Sequence, residues 1–345
     1  MHVPLKFVEA APVQDRLRRP LRELRVSVID RCNFRCTYCM PADSLQGRGE
    51  FLPLERLLTD HEIESMVRAF VQLGVRKLRI TGGEPLLRPG LPALVDQLAG
   101  IRGLEDIALT TNGVMLPRLA ADLREAGLDR ITVSLDTLDE EVLARMSGGR
   151  ARLDDVLAGI AAAEAAGFDR LKINTVVQRG VNDHSVLDLV EHFRGTPHRV
   201  RLIEYMDVGN TNHWSADDVV PNAEWVEKIS QKWPIRPVAS GNPAETARRY
   251  EYVDGQGEIG FISSITQPFC GGCTRARVTA DGLFYTCLFS NRGTDLMPLI
   301  RHGEDPQALA RRIHAVWEER GDRYSELRGR RERTGPKIEM YRLGG

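Results

Sequence analysis

Residues 24–41 read LRVSVIDRCNFRCTYCMP, a short β-branched run that breaks into a loop carrying three cysteines. The run is the first of six that recur up to residue 206: LRVSVI, KLRIT, DIALT, RITVSL, RLKINTVV and VRLIEYM. Longer amphipathic segments separate them, among them TDHEIESMVRAFVQLG, PRLAADLREAG and LDDVLAGIAAAEAAG. Short β-branched runs suit buried strands, and apolar positions recurring every three to four residues suit helices packed upon them. Three of the helical segments end at Gly74, Gly127 and Gly167, where the left-handed backbone that closes a helix carries little steric cost. Thr59 or Asp60 supplies the cap of the first. Such alternation predicts an α/β fold with a parallel sheet and helical crossovers. Six units fall short of the eight of a closed barrel, so the expected architecture is an incomplete (β/α)6 TIM-type barrel, with a doubly wound sheet as the alternative.

Beyond residue 206 the pattern changes. NAEWVEKISQKW reads as a helix, YEYVDGQGEIGFISSI as a hairpin around Gly255 and Gly257, and RVTADGLFYTCLF as a second hairpin turning at Asp281-Gly282. A last helix, DPQALARRIHAVWEER, precedes a basic tail that ends in Gly344-Gly345. The expected organisation is a mobile N-terminal arm over residues 1–20, a partial barrel over 21–210, a C-terminal α+β extension over 211–335 closing the barrel's lateral opening, and a tail over 336–345.

Bulk charge narrows the function. Lys and Arg number 47 against 48 Asp and Glu, a net charge of −1, so no global field recruits nucleic acid or a membrane surface. No run approaches the roughly 18 apolar residues of a membrane span, and the charged N-terminus lacks the apolar core of a signal peptide. The expected compartment is the cytoplasm, where thiols stay reduced. All six cysteines then fall in two triplets, Cys32, Cys36, Cys39 and Cys270, Cys273, Cys287.

Chemistry-bearing residues cluster at the ends of the predicted strands. Cys32 follows the first, Thr81-Gly82-Gly83-Glu84-Pro85 the second and Thr110-Thr111-Asn112-Gly113 the third, while Ser134-Leu135-Asp136 ends the fourth. Lys172 and Asn174 lie in the fifth, and Glu204 to Met206 close the sixth. Strand C-termini of parallel β/α folds converge on one face, where sites form. The C-x₃-C-x₂-C loop offers three thiolates and no histidine, one ligand short of a structural zinc site. Three thiolates suit a [4Fe–4S] cluster whose fourth iron stays open to a small molecule.

This motif resembles the radical S-adenosylmethionine superfamily. The resemblance implies that the amino and carboxylate groups of S-adenosylmethionine chelate the open iron and that Tyr38 lies beside the adenine. It also implies cofactor contacts at Gly83, Glu84, Ser134 and Met206, with Glu84 receiving the amino group.

The second triplet is spaced C-x₂-C-x₁₃-C and again lacks a fourth cysteine or a nearby histidine. A second cluster with an open iron is expected, with zinc as the alternative. Arg275 and Arg277 alternate on the strand that follows, so both point to one face. Together with Arg25, Arg79 and Lys172 on other strands they predict a multiply charged anion, since arginine forks suit phosphate oxygens. No P-loop is present, so side chains must hold the phosphates.

Arg25 seven residues before the first cysteine, TGGEP, TTNG, SLD, KINTV, the C-x₂-C-x-R-x-R run and the terminal Gly-Gly occur in order. Together they resemble the GTP 3′,8-cyclase family of molybdenum cofactor biosynthesis. That resemblance implies abstraction of the ribose 3′ hydrogen of GTP by an adenosyl radical and attack on C8 of guanine. It implies two [4Fe–4S] clusters, GTP contacts at Arg25, Arg79, Thr110, Lys172, Arg275, Ala276 and Arg277, and catalytic roles for Arg275, Arg277, Gly344 and Gly345. It further implies an external electron donor and a downstream pterin-forming enzyme; a homodimer is compatible with the sequence. Two other readings stand beside it: a peptide maturase of the same superfamily with an auxiliary cluster, and a non-catalytic metal-binding module or electron carrier.

Overall fold

The structure is a computed structural model that describes residues 12–41, 51–242, 244–302, 306–328 and 337–344. Six parallel strands lie adjacent in sequence order: β1 (Glu23–Ser27), β2 (Lys77–Thr81), β3 (Asp106–Thr111), β4 (Arg130–Ser134), β5 (Lys172–Val177) and β6 (Arg199–Glu204). The crossovers carry α1 (Asp60–Gln72), α2 (Leu91–Ala99), α3 (Leu116–Glu125), α4 (Glu140–Met146), α5 (Leu153–Ala165) and α6 (Val186–Phe193). Thr59 is the cap of α1: its hydroxyl accepts from Glu62 N at 3.3 Å while Glu62 accepts from Thr59 N at 2.7 Å. Gly74, Gly127 and Gly167 have φ of +109°, +92° and +86°, as predicted for helix ends.

The strands alternate strictly. Leu24 and Val26, Leu78 and Ile80, Ile107 and Leu109, Ile131 and Val133, and Val200 and Leu202 point outward and are at most 3% exposed. They pack with the helices into one continuous core, each fully buried side chain contributing about 1.5–3 kcal/mol. Parallel strands covered on both faces usually read as unbroken apolar runs. Here most of the intervening positions are charged or polar, among them Arg25, Arg79, Thr110, Lys172, Asn174 and Arg201, with Ala108 an apolar exception, so the inner face lines a largely polar cavity.

The C-terminal extension builds on both edges of this sheet. After α7 (Asn222–Lys232) come β7 (Ile235–Pro237), β8 (Arg248–Tyr252) and β9 (Glu258–Ile262), and β9 runs parallel beside β6. At the other edge β10 (Arg275–Val278) runs parallel beside β1, followed by β11 (Leu283–Tyr285) and β12 (Thr294–Asp295). The result is a twelve-stranded sheet, β12-β11-β10-β1-β2-β3-β4-β5-β6-β9-β8-β7, that does not close. Each parallel edge strand is covered by its own antiparallel hairpin partner, β8 on β9 and β11 on β10, which blocks joining of the two ends into a barrel. The expected incomplete barrel is therefore present, and the extension widens it. Helices α8 (Met297–His302), α9 (Pro306–Glu318), α10 (Tyr324–Leu327) and α11 (Met340–Leu343) complete the chain.

The mobile arm expected over residues 1–20 is corrected for its described part. Residues 12–20 form a pinned turn. Asp15 accepts from Leu17 N and Arg19 N, both at 2.9 Å, and Arg16 N donates to Arg320 O at 3.2 Å. A charged string such as QDRLRR reads as solvated, yet Asp15 and Arg19 are buried because they neutralise each other at 2.6 Å. Among the described residues no helix is long and apolar enough to cross a membrane.

Glu204, at the end of β6, fastens the extension to the barrel. It is fully buried and accepts from Asn222 N at 3.0 Å, Ile265 N at 2.8 Å, Thr266 N at 2.9 Å and Thr266 Oγ1 at 2.5 Å. Asn222 opens α7, so the helix dipole also favours the carboxylate. Glu204→Ala leaves one buried and two part-buried amides without their acceptor, and unfolding by denaturant should show a loss of about 2 kcal/mol or more. Hydrogen exchange should rise more at residues 258–266 than at β2; an unchanged midpoint would refute the fastening role.

Candidate active site

At the strand C-termini, the loop after β2 is clamped onto the cysteine loop after β1. Gly83 N donates to Ile29 O and Glu84 N to Arg31 O, both at 2.7 Å. A Cβ on Gly83 would lie 2.2 Å from the Arg31 carbonyl oxygen, so the glycines admit the cysteine loop itself rather than a bare ligand. The loop's far side hangs on the end of α4 through Arg35 N to Ser147 O and Thr37 N to Met146 O, both 2.9 Å. Cys32, Cys36 and Cys39 are free and half-buried. Burial pushes the Cys32 thiol up to about 11, and burial with mutual repulsion pushes Cys36 and Cys39 up further. Thiols so placed ionise readily only against a bound cation, which fits a metal cluster.

Two buried carboxylates organise this end. Glu84 accepts from Thr111 Oγ1 at 2.7 Å, Asn112 N at 2.8 Å and Leu86 N at 3.0 Å. Burial raises its carboxyl to about 7 against those donors. With roughly four acceptor sites on a carboxylate, Glu84 spends three on tying β2 to β3 and the following turn. Asp136, named in the sequence motif without a role, accepts from Tyr38 Oη and Val176 N, both at 2.8 Å. It thereby fixes the Tyr38 ring, which packs with Met146, Tyr205, Phe289 and Met340 in a satellite cluster that Met206, Cys36, Cys39 and Cys287 also touch. Ser134 sits at the end of β4, opposite Asn174.

Below that level lies a cavity of about 460 Å³. It gathers Arg25, Arg79, Thr110, Lys172, Arg275, Arg277 and Met206, all anticipated from sequence, with Cys270, Cys273 and Cys287 at its rim. Register explains the convergence: Arg277, Arg25 and Arg79 stand side by side on β10, β1 and β2. Ala276, between the two arginines, turns its methyl into the main core, so only its backbone lies near the cavity. Sequence reading missed Lys77, Arg130, Arg199, Arg201 and Arg249, which also line the space. The alternation applied to Arg275 and Arg277 would have found Lys77 beside Arg79 and Arg201 beside Arg199. The contribution of Asn242, of Ala244 to Ala247 and of Arg249 had no signal in the sequence.

Among the described residues the cavity lining holds ten Lys and Arg against two carboxylates, Glu23 and Glu245, while Asp106 and Glu258 just outside it pair with Arg130, Arg199 and Arg249, so cations remain in excess. Burial alone would raise the Glu23 carboxyl, but Arg25, Arg79, Arg275 and Arg277 outweigh it and hold it at about 2. Burial and the neighbouring Arg201, Arg130, Arg79 and Arg199 pull Lys172 down to about 7. Arg79 donates to Thr110 Oγ1 at 3.3 Å, yet the Nε atoms of Arg79, Arg201, Arg275 and Arg277 are buried without a hydrogen-bond partner. Such donors await an anion with many oxygens.

Cys270, Cys273 and Cys287 are likewise free and half-buried. Burial would raise Cys273, but Arg275 and Arg320 pull it to about 6, whereas burial leads Cys287 up to about 11. Among the described residues no three His, Cys, Asp or Glu side chains are gathered closely enough to share one metal ion. A cluster, taking one thiolate per iron, suits ligands set further apart. Both triplets fit it by donor type.

The end of the chain also reaches this region. Glu339 accepts from Asn210 N at 3.1 Å and Thr211 Oγ1 at 3.3 Å, and Leu343 is fully buried. Gly344 has φ of +68°, and a Cβ there would meet Thr81 Oγ1 at 1.8 Å. Gly345 lies outside the described residues.

Residues 26–193 match the family model described as Radical SAM superfamily, and residues 198–326 that described as Molybdenum Cofactor Synthesis C. The crystal structure of Streptococcus suis SuiB bound to S-adenosylmethionine is similar with a TM-score of 0.61 and 16% identity, covering 90% of this chain and 68% of that one, a likeness of fold alone. The class is that of radical S-adenosylmethionine proteins, which implies S-adenosylmethionine and an iron–sulfur cluster. A GTP 3′,8-cyclase of Xanthomonas campestris pv. campestris (strain B100) is 54% identical over 341 residues, 99% of this chain and 100% of its own. One of Acidothermus cellulolyticus is 52% identical over 321 residues, 92% of this chain and 89% of its own. The chain belongs to the GTP 3′,8-cyclase family.

Lys172 makes anion binding proton-linked. It is largely neutral above pH 7 when the cavity is empty, and an anion favours its charged form. Binding of inorganic triphosphate at pH 8 should therefore take up a proton, and affinity should fall as pH rises above about 7. Calorimetry in buffers of different ionisation heat reads the uptake, which Lys172→Met should remove; equal uptake in the variant would contradict the assignment.

Proposed function

We propose that this chain converts GTP into (8S)-3′,8-cyclo-7,8-dihydroguanosine 5′-triphosphate, a step of molybdenum cofactor biosynthesis. The observation that carries the reading is the cation-lined inner face of the sheet with a cysteine triplet at its rim. Full-length relatives at 52–54% identity carry the name of that activity. A peptide maturase would have no use for ten cations around one cavity.

Division of labour follows the chain. Residues 21–210 generate the radical and supply most of the phosphate-binding cations, and residues 211–335 add Arg275, Arg277 and the second cysteine triplet, in the cytoplasm. Cys32, Cys36 and Cys39 would hold a [4Fe–4S] cluster that, with S-adenosylmethionine and an external electron donor, would supply the radical chemistry for hydrogen abstraction at the ribose 3′ carbon. Cys270, Cys273 and Cys287 would hold a second [4Fe–4S] cluster on the substrate side.

The chain's own residues do the rest. Arg25, Arg79 and Arg277, in one row across three strands, bind phosphate oxygens, and Thr110 orients Arg79. Lys172 adds a charge as the anion arrives, and Arg201 joins from β6. Gly83 sets the cysteine loop, Glu84 and Ser134 border the cofactor, and Tyr38 walls the adenine, held by Asp136. Met206 stands between the cofactor end and the cavity. The enclosing sheet excludes water, which would otherwise quench a carbon radical. The product passes to a pterin-forming enzyme.

Anaerobic reconstitution should give about eight irons per chain with labile sulfide. Addition of GTP, S-adenosylmethionine and reductant should then yield 5′-deoxyadenosine and cyclised guanosine together. Formation of 5′-deoxyadenosine alone would point to another substrate.

Gly344 and Gly345 complete the site from the chain's end. Only glycine fits between Thr81 and the α11 turn. Removing both residues should abolish cyclisation, by at least about 100-fold in kcat as positioning losses do, while iron content stays the same. An active truncated enzyme would refute a catalytic tail.

A further inference from the structure

Two buried arginines stand behind the C-terminal cysteine triplet, on the side away from the cavity. Arg320, just after α9, has a side chain 1% exposed; its guanidinium carbon lies 4.4 Å from the Trp317 ring centroid. Its Nη2 donates to Cys273 Sγ at 3.1 Å, and its Nη1 to the Cys273 carbonyl at 2.8 Å and to Asp15 Oδ2 at 3.1 Å. Arg19 shares the same carboxylate at 2.6 Å and donates to the carbonyls of Cys270 and Asp322, both at 2.8 Å.

The charges do not cancel. Asp15 is fully buried and faces two guanidinium groups. Asp322 approaches Arg320 only to 3.8 Å, is partly exposed, and already accepts from Thr286 Oγ1 at 2.6 Å. A buried surplus of positive charge is costly unless an anion stands against it, and the atom it faces is a cysteine sulfur. Arg275 also borders Cys273, but Arg275 lines the cavity and is open to substrate charge. Arg320 is outside the lining, so its bias is permanent. At the other triplet Arg35 donates to the carbonyls of Cys32 and Phe34 and is only half-buried.

We propose that Arg320 is a positioning residue for the C-terminal cluster, whose reduction potential it raises by donating a charged hydrogen bond to the Cys273 thiolate. The inference rests on the reading that this triplet holds an iron–sulfur cluster. Donors to a ligand sulfur stabilise the reduced, more negative state. Asp15 and Arg19 hold the donor and the ligand backbone in register, which gives the pinned N-terminal turn a role in the chemistry.

The test is a redox titration by electron paramagnetic resonance on the full chain carrying Cys32→Ala, Cys36→Ala and Cys39→Ala, so that about four irons remain on the other triplet. Arg320→Leu should lower the reduced-to-oxidised ratio at fixed potential about tenfold, about 59 mV for one electron. Arg320→Lys, which keeps the charge without the fork, should shift it less in the same direction. An unmoved potential with irons retained overturns the proposal. If the leucine variant holds no iron, the lysine variant decides by the same reading. In the reciprocal background, with Cys270→Ala, Cys273→Ala and Cys287→Ala, Arg320→Leu should leave the N-terminal cluster's potential unchanged; an equal shift there overturns the proposal as well. A parent chain without iron on the C-terminal triplet would overturn instead the cluster reading beneath it.

Discussion

Like charges set in register on neighbouring strands govern this molecule. Arg277, Arg25 and Arg79 occupy one row of β10, β1 and β2, where adjacent strands lie about 4.8 Å apart. At an effective dielectric of about 20, each such pair repels by up to about 3 kcal/mol. The fold tolerates the repulsion because the outward positions of the same strands bury a continuous apolar core. Glu23 alone among the nearby carboxylates faces four of the arginines, and it offsets only part of their charge. The remainder is a standing demand for a polyanion.

The two ends of the strands divide the labour. At the C-terminal ends, short backbone hydrogen bonds lock the cysteine loop to the loop after β2, with buried Glu84 bridging to β3. The C-terminal extension supplies a parallel strand at each edge and brings Cys270, Cys273 and Cys287 to the cavity. Glu204 joins the two parts through the start of α7 and the segment after β9. Gly344, packed on Thr81, brings α11 back against the end of β2.

Much of this was legible locally. The six strand runs, the helix-ending glycines, the Thr59 cap and both C-terminal hairpins follow from periodicity and turn chemistry, which act over a few residues. The cysteine triplets and the Arg-x-Arg pair declared their chemistry by spacing. What stayed hidden depends on partners far along the chain. Nothing near Asp15 signals that its carboxylate meets Arg320, 305 residues away, and so a buried turn read as a loose arm. The inward arginines of β4 and β6 carried no local signal of a shared cavity: register sets Arg199 opposite Lys172, and Arg130 one inward position along from Thr132, the partner of Lys172 on β4. Nothing in TGGEP itself says that Gly82 and Gly83 make room for the Ile29 and Arg31 carbonyls of the neighbouring loop.

The amino-acid sequence by itself determined the β/α units, the two incomplete thiolate sets and the family, because each rests on residue types at short, fixed spacing. Tertiary structure alone decided that the sheet stays open, that ten cations share one cavity and that Arg320 stands behind Cys273. The reason is physical: strand pairing and side-chain burial are set by contacts between segments distant in sequence, and their register cannot be read from either segment alone.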